Sequence, residues 1–172
     1  MYVKLTSGLT QTFVTTQGVK QGCVLSPLIF NIFINDLPEQ FDDLCDPVVI
    51  ADHKLQALMF ADDVMVLSQS ANGLKRAINI TVEFFNQINL SVNFTKSQVM
   101  IFNLRGVLLD KDPDYQFFAG TQKLKVVNEY TYLGVKLTPS GSASHGATEL
   151  FLKSKRSWFS ISNCLILIPS LI

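Results

Sequence analysis

Two apolar runs meet at a pair of adjacent carboxylates, and this junction constrains the chain more than any other feature. Leu55-Gln56-Ala57-Leu58-Met59-Phe60-Ala61 leads into Asp62-Asp63, and Val64-Met65-Val66-Leu67 follows. Apolar runs of that length around two acids read as a hairpin with carboxylates at its tip. A carboxylate buried without a partner costs several kcal/mol, so this pair needs compensation. One reading is an ordinary solvent-facing turn, because Asp favours turns. The other is a divalent-metal site. Mg²⁺ prefers hard oxygen ligands, commonly one or two carboxylates with substrate phosphates, and two such ions can hold the attacking and leaving oxygens of a phosphoryl transfer.

The rest of the chain supplies elements around that hairpin. Residues 10–15 are rich in β-branched types and read as a strand. Ser26-Pro27 predicts a helix start with Ser as N-cap and Pro at the first helical position, and Pro38 ends it. Leu28, Ile29, Phe30, Ile32, Phe33, Ile34 and Leu37 make this helix apolar nearly all round, which predicts burial. Residues 39–54 are polar and read as a surface loop. From Asn72 to Ile88, Leu74, Ala77, Ile78, Val82, Phe85 and Ile88 share one helical face, opposite Lys75, Arg76, Asn79, Glu83 and Asn86. Strands are expected at 99–102, at 115–119 paired with 124–127 around Gly120-Thr121, and at 130–137. A Ser/Gly loop over 138–148 and a helix over 149–161 follow.

Composition narrows the class. The chain has 172 residues, 48% hydrophobic with thirteen Phe, and its mean hydropathy is +0.27. Disordered segments are poor in aromatics and rich in charge, so this is folded material, long enough for one domain with a real core. Fourteen basic and fourteen acidic side chains cancel, which argues against an autonomous nucleic-acid binder. The cancellation hides an asymmetry, since residues 1–86 hold five basic and nine acidic groups and residues 87–172 hold nine and five. Cys23, Cys45 and Cys164 are widely spaced without a C-x-x-C, so neither a disulfide framework nor a zinc site is indicated and an intracellular setting fits. No run approaches the roughly 18 apolar residues that span a bilayer. The apolar tail from Cys164 to Ile172, broken by Pro169, reads as a core segment rather than an anchor.

Four segments, in order, resemble the reverse transcriptase domain of non-LTR (LINE-like) retrotransposons. Phe60-Ala61-Asp62-Asp63 is similar to that family's F/Y-x-D-D hairpin in the polymerase palm. Gly18-Val19-Lys20-Gln21-Gly22-Cys23-Val24-Leu25-Ser26-Pro27-Leu28-Ile29-Phe30-Asn31 resembles its Q-G-x-x-x-S-P segment. Leu90-Ser91-Val92-Asn93 with Lys96-Ser97 looks like G-L-x-x-N-x-x-K-T, and Tyr130-Thr131-Tyr132-Leu133-Gly134 like the Y-x-Y-L-G strand. Together they cover about residues 10 to 140, where a single match would carry little.

The resemblance implies roles. Asp62 would bind the catalytic metals, Mg²⁺ or alternatively Mn²⁺, with Asp63 the less certain ligand. Gln21 and Gly22 would lie beside nucleotide and template, where a glycine lets backbone approach a ligand; a simple turn before the helix is the plain reading. Lys96 would sit near the triphosphate, or be only a solvated lysine. Tyr132, Leu133 and Gly134 would help hold the primer, or form a core strand with a Gly bend. The family also carries a catalytic Asp on a strand before its Q-G segment. No Asp or Glu precedes Gln21 here, so that ligand is expected to be missing, along with the basic fingers before it and most of the thumb after it. Asn89 and Ser97 stand where the family has Gly and Thr.

The expectation is an α+β fold, a partial right-hand polymerase palm whose antiparallel sheet bears the Asp62-Asp63 hairpin and is backed by two helices. Residues 1–137 would form the palm, and residues 138–172 a loop and the start of a truncated thumb-like helical segment. The implied function is RNA-directed DNA synthesis. In it a primer 3′-hydroxyl would attack the α-phosphate of a dNTP and release pyrophosphate, with RNA template and DNA primer as partners and the nucleus as the setting. This isolated chain is expected to be inactive or nearly so, which leaves its standing as an enzyme open. A non-catalytic retroelement remnant or partner-binding domain, and a fragment of a longer polymerase, are the alternatives. An unrelated metal-dependent phosphotransferase would explain the acid pair but not the other segments. On this reading zero net charge reflects a palm without its basic surroundings, and the apolar excess reflects faces that those parts normally cover.

Overall fold

The computed structural model describes residues 4–12, 14, 18, 23–103, 109–133, 135–140 and 165–171. The elements in chain order begin with β1 (Lys4–Leu5), β2 (Gly8–Leu9) and α1 (Ser26–Phe33). Next come the hairpin strands β3 (Val48–Ile50) and β4 (His53–Leu55), then β5 (Ala57–Phe60) and β6 (Asp63–Ser68). The long helix α2 (Ala71–Gln87) leads to β7 (Val92–Ile101). Short strands follow, β8 (Phe118–Ala119), β9 (Gln122–Lys123), β10 (Lys125–Val127), β11 (Tyr130–Tyr132) and β12 (Val135–Leu137), and β13 (Leu165–Leu171) completes the set.

The main sheet has the order β10-β7-β13-β6-β5. Its pairs are antiparallel except β10 with β7, which run parallel. The fold is thus α+β with a mixed sheet, not the wholly antiparallel one expected. The hairpin expected around Gly120-Thr121 forms but is short: β8 pairs with β9, Leu124 N–H donates to Phe117 C=O at 2.9 Å, and residues 125–127 leave it as β10 to extend the sheet edge beside β7.

Pleating sorts β6 and β7 onto two faces, because successive residues of a strand point to opposite sides. Val64 and Val66 of β6 and Val99 and Ile101 of β7 pack with Leu74, Ala77, Ile78, Phe84 and Phe85 of α2 in the larger core cluster. Met65, Leu67, Met100 and Phe102 face the other way, with Val48, Tyr130 and Tyr132 around them. Both faces of the sheet centre are therefore dry, and its strands read as nearly continuous apolar runs. The apolar stripe of α2 follows the helical period, and the Ser70 side chain caps it by accepting a 3.1 Å hydrogen bond from Gly73 N–H.

Several expectations are corrected. Residues 39–54 are not a plain surface loop. They contain two short 3₁₀ turns and the β3–β4 hairpin, whose two-residue turn Ala51-Asp52 has φ of 48° and 66°. Both values suit the twist of a two-residue hairpin, and the Ala-Asp pair hides that turn from a composition reading. The strand expected at 10–15 is not seen in its described residues 10–12 and 14. Helix α1 stops at Phe33, and Leu25 rather than Ser26 occupies its N-cap without a side-chain cap. Nor is α1 buried: Leu28, Ile29, Ile32 and Phe33 are each more than half exposed. Residues 130–137 form a hairpin, β11 with β12, rather than one strand. The helix expected over 149–161 lies outside the described residues.

Candidate functional site

The β5–β6 hairpin pairs Phe60 with Asp63 and Met59 with Val64, leaving Ala61 and Asp62 as its turn. Ala61 takes a left-handed φ of 53°, a conformation uncommon for a residue with a Cβ. It is held from outside the hairpin, since its N–H donates to the Asn31 Oδ1 of α1 at 2.8 Å. Asp62 is exposed at the tip, and Asp63, the first residue of β6, is half-buried.

Parity along β6 puts Asp63 on the face of Met65 and Leu67, the side occupied by Tyr130 and Tyr132. Electrostatics report the same grouping. Burial first, and then the charge of Asp62, push the Asp63 carboxyl above its ordinary value. Both phenols are raised in turn, mainly by burial and then by the Asp63 charge. None of the described ion pairs or side-chain hydrogen bonds involves Asp62 or Asp63. Two adjacent carboxylates therefore stand at the hairpin tip without a compensating cation from the described part of the chain.

Register extends this level of the sheet. Ser170 of β13 stands opposite Asp63 on one side and Asn93 of β7 on the other. With strands about 4.8 Å apart, Asn93 lies roughly 10 Å from Asp63 along the sheet. Just beyond Asn93 the β7 ladder is irregular, because Gln98 pairs with Ile168 while Asn93 pairs with Ser170. The segment between folds on itself: Asn93 Oδ1 accepts from Thr95 Oγ1 at 2.7 Å and from Lys96 N–H at 3.3 Å, and Ser97 Oγ donates to Asn93 C=O at 2.8 Å. Lys96 sits exposed on this bulge.

Of the residues singled out from the sequence, Asp62, Asp63 and Tyr132 are brought together. Leu133 is exposed in the β11–β12 turn with φ 47°, and Lys96 is on the bulge. Gln21, Gly22 and Gly134 lie outside the described residues. The sequence reading gave no role to Asn31 or Tyr130. Asn31 carried a signal all the same, as the polar interruption in an otherwise apolar helix, and Tyr130 shares a β-strand face with Tyr132 by the period of two.

Chemically, the tip offers hard carboxylate oxygens beside two phenols with raised pKa. That donor chemistry suits a divalent cation that completes its shell with water or phosphate, and such a cation would offset the burial and the Asp62 charge that disfavour ionised Asp63. Three or more candidate metal-ligating side chains do not cluster anywhere among the described residues, so the tip is a partial site. No described helix is long and apolar enough to cross a membrane.

Comparison with known proteins points the same way. The family model described as reverse transcriptase (RNA-dependent DNA polymerase) matches residues 1–137. The chain is 26% identical over 142 residues to the retrovirus-related Pol polyprotein from the type-2 retrotransposable element R2DM of Drosophila melanogaster, covering 77% of this chain and 13% of that protein. It is 25% identical over 130 residues to the retrovirus-related Pol polyprotein from the type-1 retrotransposable element R2 of Popillia japonica, covering 73% of this chain and 22% of that one. The chain thus spans less than a quarter of the length of either relative. No solved structure matches it.

Proposed function

Because the chain belongs to the reverse transcriptase (RNA-dependent DNA polymerase) family, we propose that it is the palm portion of an RNA-directed DNA polymerase of a non-LTR retrotransposon. Residues 1–137 supply that portion, and residues 138–172 its sequel, in which β13 returns to the palm sheet. The observation that carries the reading is the hairpin tip: adjacent carboxylates at a turn fixed by Asn31, with tyrosines against Asp63 and no described cation beside them.

Asp62 and Asp63 would hold Mg²⁺ or Mn²⁺, which when bound stabilises charge on phosphate oxygens. The chain's own residues do the positioning. Asn31 sets the turn, the β5–β6 register sets where the carboxylates emerge, and Tyr132 with Leu133 borders the path of a primer strand. Gln21, Gly22 and Lys96 serve nucleotide and template, and Gly134 the primer. The partners are an RNA template, a DNA primer and dNTP in a longer parent protein, and the setting is the nucleus. Among the described residues no third ligand joins the two carboxylates at the tip, and because orientation supplies much of the rate in such enzymes, the isolated 172-residue chain would be inactive or nearly so.

Two measurements test this. Mn²⁺ binding followed by water-proton relaxation should be detectable in the chain and lost in the Asp62→Asn, Asp63→Asn double variant. Grafting residues 18–137 into the corresponding stretch of the Drosophila relative should retain templated dNTP incorporation that Asp62→Ala abolishes. A grafted protein that is folded but inactive with both aspartates intact overturns the assignment. Templated, Asp62-dependent incorporation by the 172-residue chain alone would refute its inactivity.

A further inference from the structure

The middle of the main sheet is held by β13, a strand that carries a proline. β13 pairs on one side with β6, at Leu165–Ser68, Ile166–Leu67, Leu167–Val66 and Ser170–Asp63. On the other it pairs with β7, at Leu165–Ile101 through Ile168–Gln98, then at Ser170–Asn93 and Leu171–Val92. β6 and β7 do not pair with each other. A strand with neighbours on both sides needs its backbone N–H groups, and Pro169 has none. The ladders respond on both flanks. Pairing to β6 skips from Leu167 to Ser170, and pairing to β7 shifts register between Ile168 and Ser170.

The slot itself is well defined. Val64, Val66, Val99 and Ile101 line it on the α2 side, Met65, Leu67 and Met100 on the other, and all of them are buried. Such surroundings ask for a strand that is apolar on both faces, with polar character tolerated only at the end level with Asp63 and Asn93. In sequence, Leu165-Ile166-Leu167-Ile168 is apolar at every position, and Pro169 interrupts the run.

We infer that the gap between β6 and β7 is a strand-acceptor site, that β13 is its exchangeable occupant in cis, and that it takes in trans an extended, proline-free apolar strand from another chain. Main-chain pairing along two open edges gives such a partner its affinity, and the alternating apolar pockets on the two faces give it specificity. The bound strand runs antiparallel to both neighbours, as β13 does. Exchange needs no new surface, because leaving β13 uncovers both edges at once. This reading stands apart from the polymerase assignment, since it rests on the sheet and not on the hairpin carboxylates.

The test uses the full chain and a fluorescent probe peptide with the sequence of residues 165–171, carrying Val in place of its proline and lysines at both ends for solubility. Saturable binding by anisotropy is expected, together with faster hydrogen exchange at residues 165–168 and unchanged protection at Val66 and Val99. In the full-length Pro169→Val variant the cis strand fits better, so uptake of the same peptide should fall roughly tenfold or more, as a competent state made scarcer lowers apparent affinity in proportion. Failure of the full chain to take up the peptide overturns the proposal. So does uptake that leaves 165–168 protected, which places the peptide elsewhere, and so does equal uptake by Pro169→Val and the parent.

Discussion

The side-chain oxygen of Asn31 accepts a 2.8 Å hydrogen bond from the backbone N–H of Ala61, tying α1 to the residue that immediately precedes Asp62. A left-handed Ala61 would otherwise be free to relax, and the direction in which the two carboxylates leave the turn would relax with it. One polar side chain on an apolar helix thus sets the aim of the candidate site.

Asn31→Ala should loosen that turn selectively. The loss of one hydrogen bond costs about 1 kcal/mol of stability, and the Ala61 amide should exchange faster while Val64 and Val66 stay protected. Native-state hydrogen exchange read residue by residue checks this, and a uniform rise across the sheet would contradict it.

Asp63 gives a pH dependence with a definite sign. Its folded pKa lies above the ordinary 3.8, through burial and the Asp62 charge. Below 3.8 the carboxyl is protonated in both folded and unfolded chains and costs nothing, whereas ionisation as the pH rises through the folded value penalises the fold. Asp63→Asn should therefore unfold at a higher temperature than the parent at pH 7, with the gap closing as the pH falls below 3.8. Thermal melts across that range decide it, and a gap that widens in acid would be the wrong sign.

Asp42 shows the opposite behaviour. Its hydrogen bonds to the Arg76 guanidinium, 2.9 Å from Nε to Oδ1, hold the carboxyl at about 2. Whatever this pair contributes is complete above 3.8 and disappears as the pH falls through about 2. In Arg76→Ala the Asp42 carboxyl should return toward 3.8, which carbon-detected NMR titration of the side chain reads directly.

Gly73 should not tolerate a methyl group. A Cβ there would lie 2.5 Å from Cys45 O, 2.5 Å from Ser68 Oγ and 2.8 Å from Asp46 Cβ. Alanine improves helix propensity by about 1 kcal/mol, but overpacking against backbone typically costs about 1–3 kcal/mol. Gly73→Ala should be net destabilising in denaturant titrations, while Asn72→Ala on the exposed neighbour should be close to neutral.

Legibility in the sequence followed from how local each signal was. Helix α2 stood out because its apolar stripe recurs with the helical period, whereas its start at Ala71 under the Ser70 cap came only from the structure. The β5–β6 pairing was readable because both strands and their acids are contiguous. The β3–β4 hairpin was missed because Ala51-Asp52 lacks the Gly or Asn that announces a left-handed turn. The parallel pairing of β10 to β7 joins segments with β8 and β9 between them, and no local pattern encodes such a partner. Helix α1 was read as buried from its composition, which reports what a helix could bury and says nothing of whether a partner lies within the same stretch of chain. Asn31 acts across thirty residues of sequence, so only its oddity among apolar neighbours was visible.

The central place of β13 also orders events during synthesis. A ribosome delivers β5, β6, α2 and β7 well before residues 165–171, so the nascent chain carries two unpaired apolar strand edges through the whole interval. Non-local pairing of this kind folds slowly and exposes intermediates to aggregation. Among the described strands β13 arrives last, so the sheet closes only then, and until that point its open edges are the part of the nascent chain most exposed to wrong pairing.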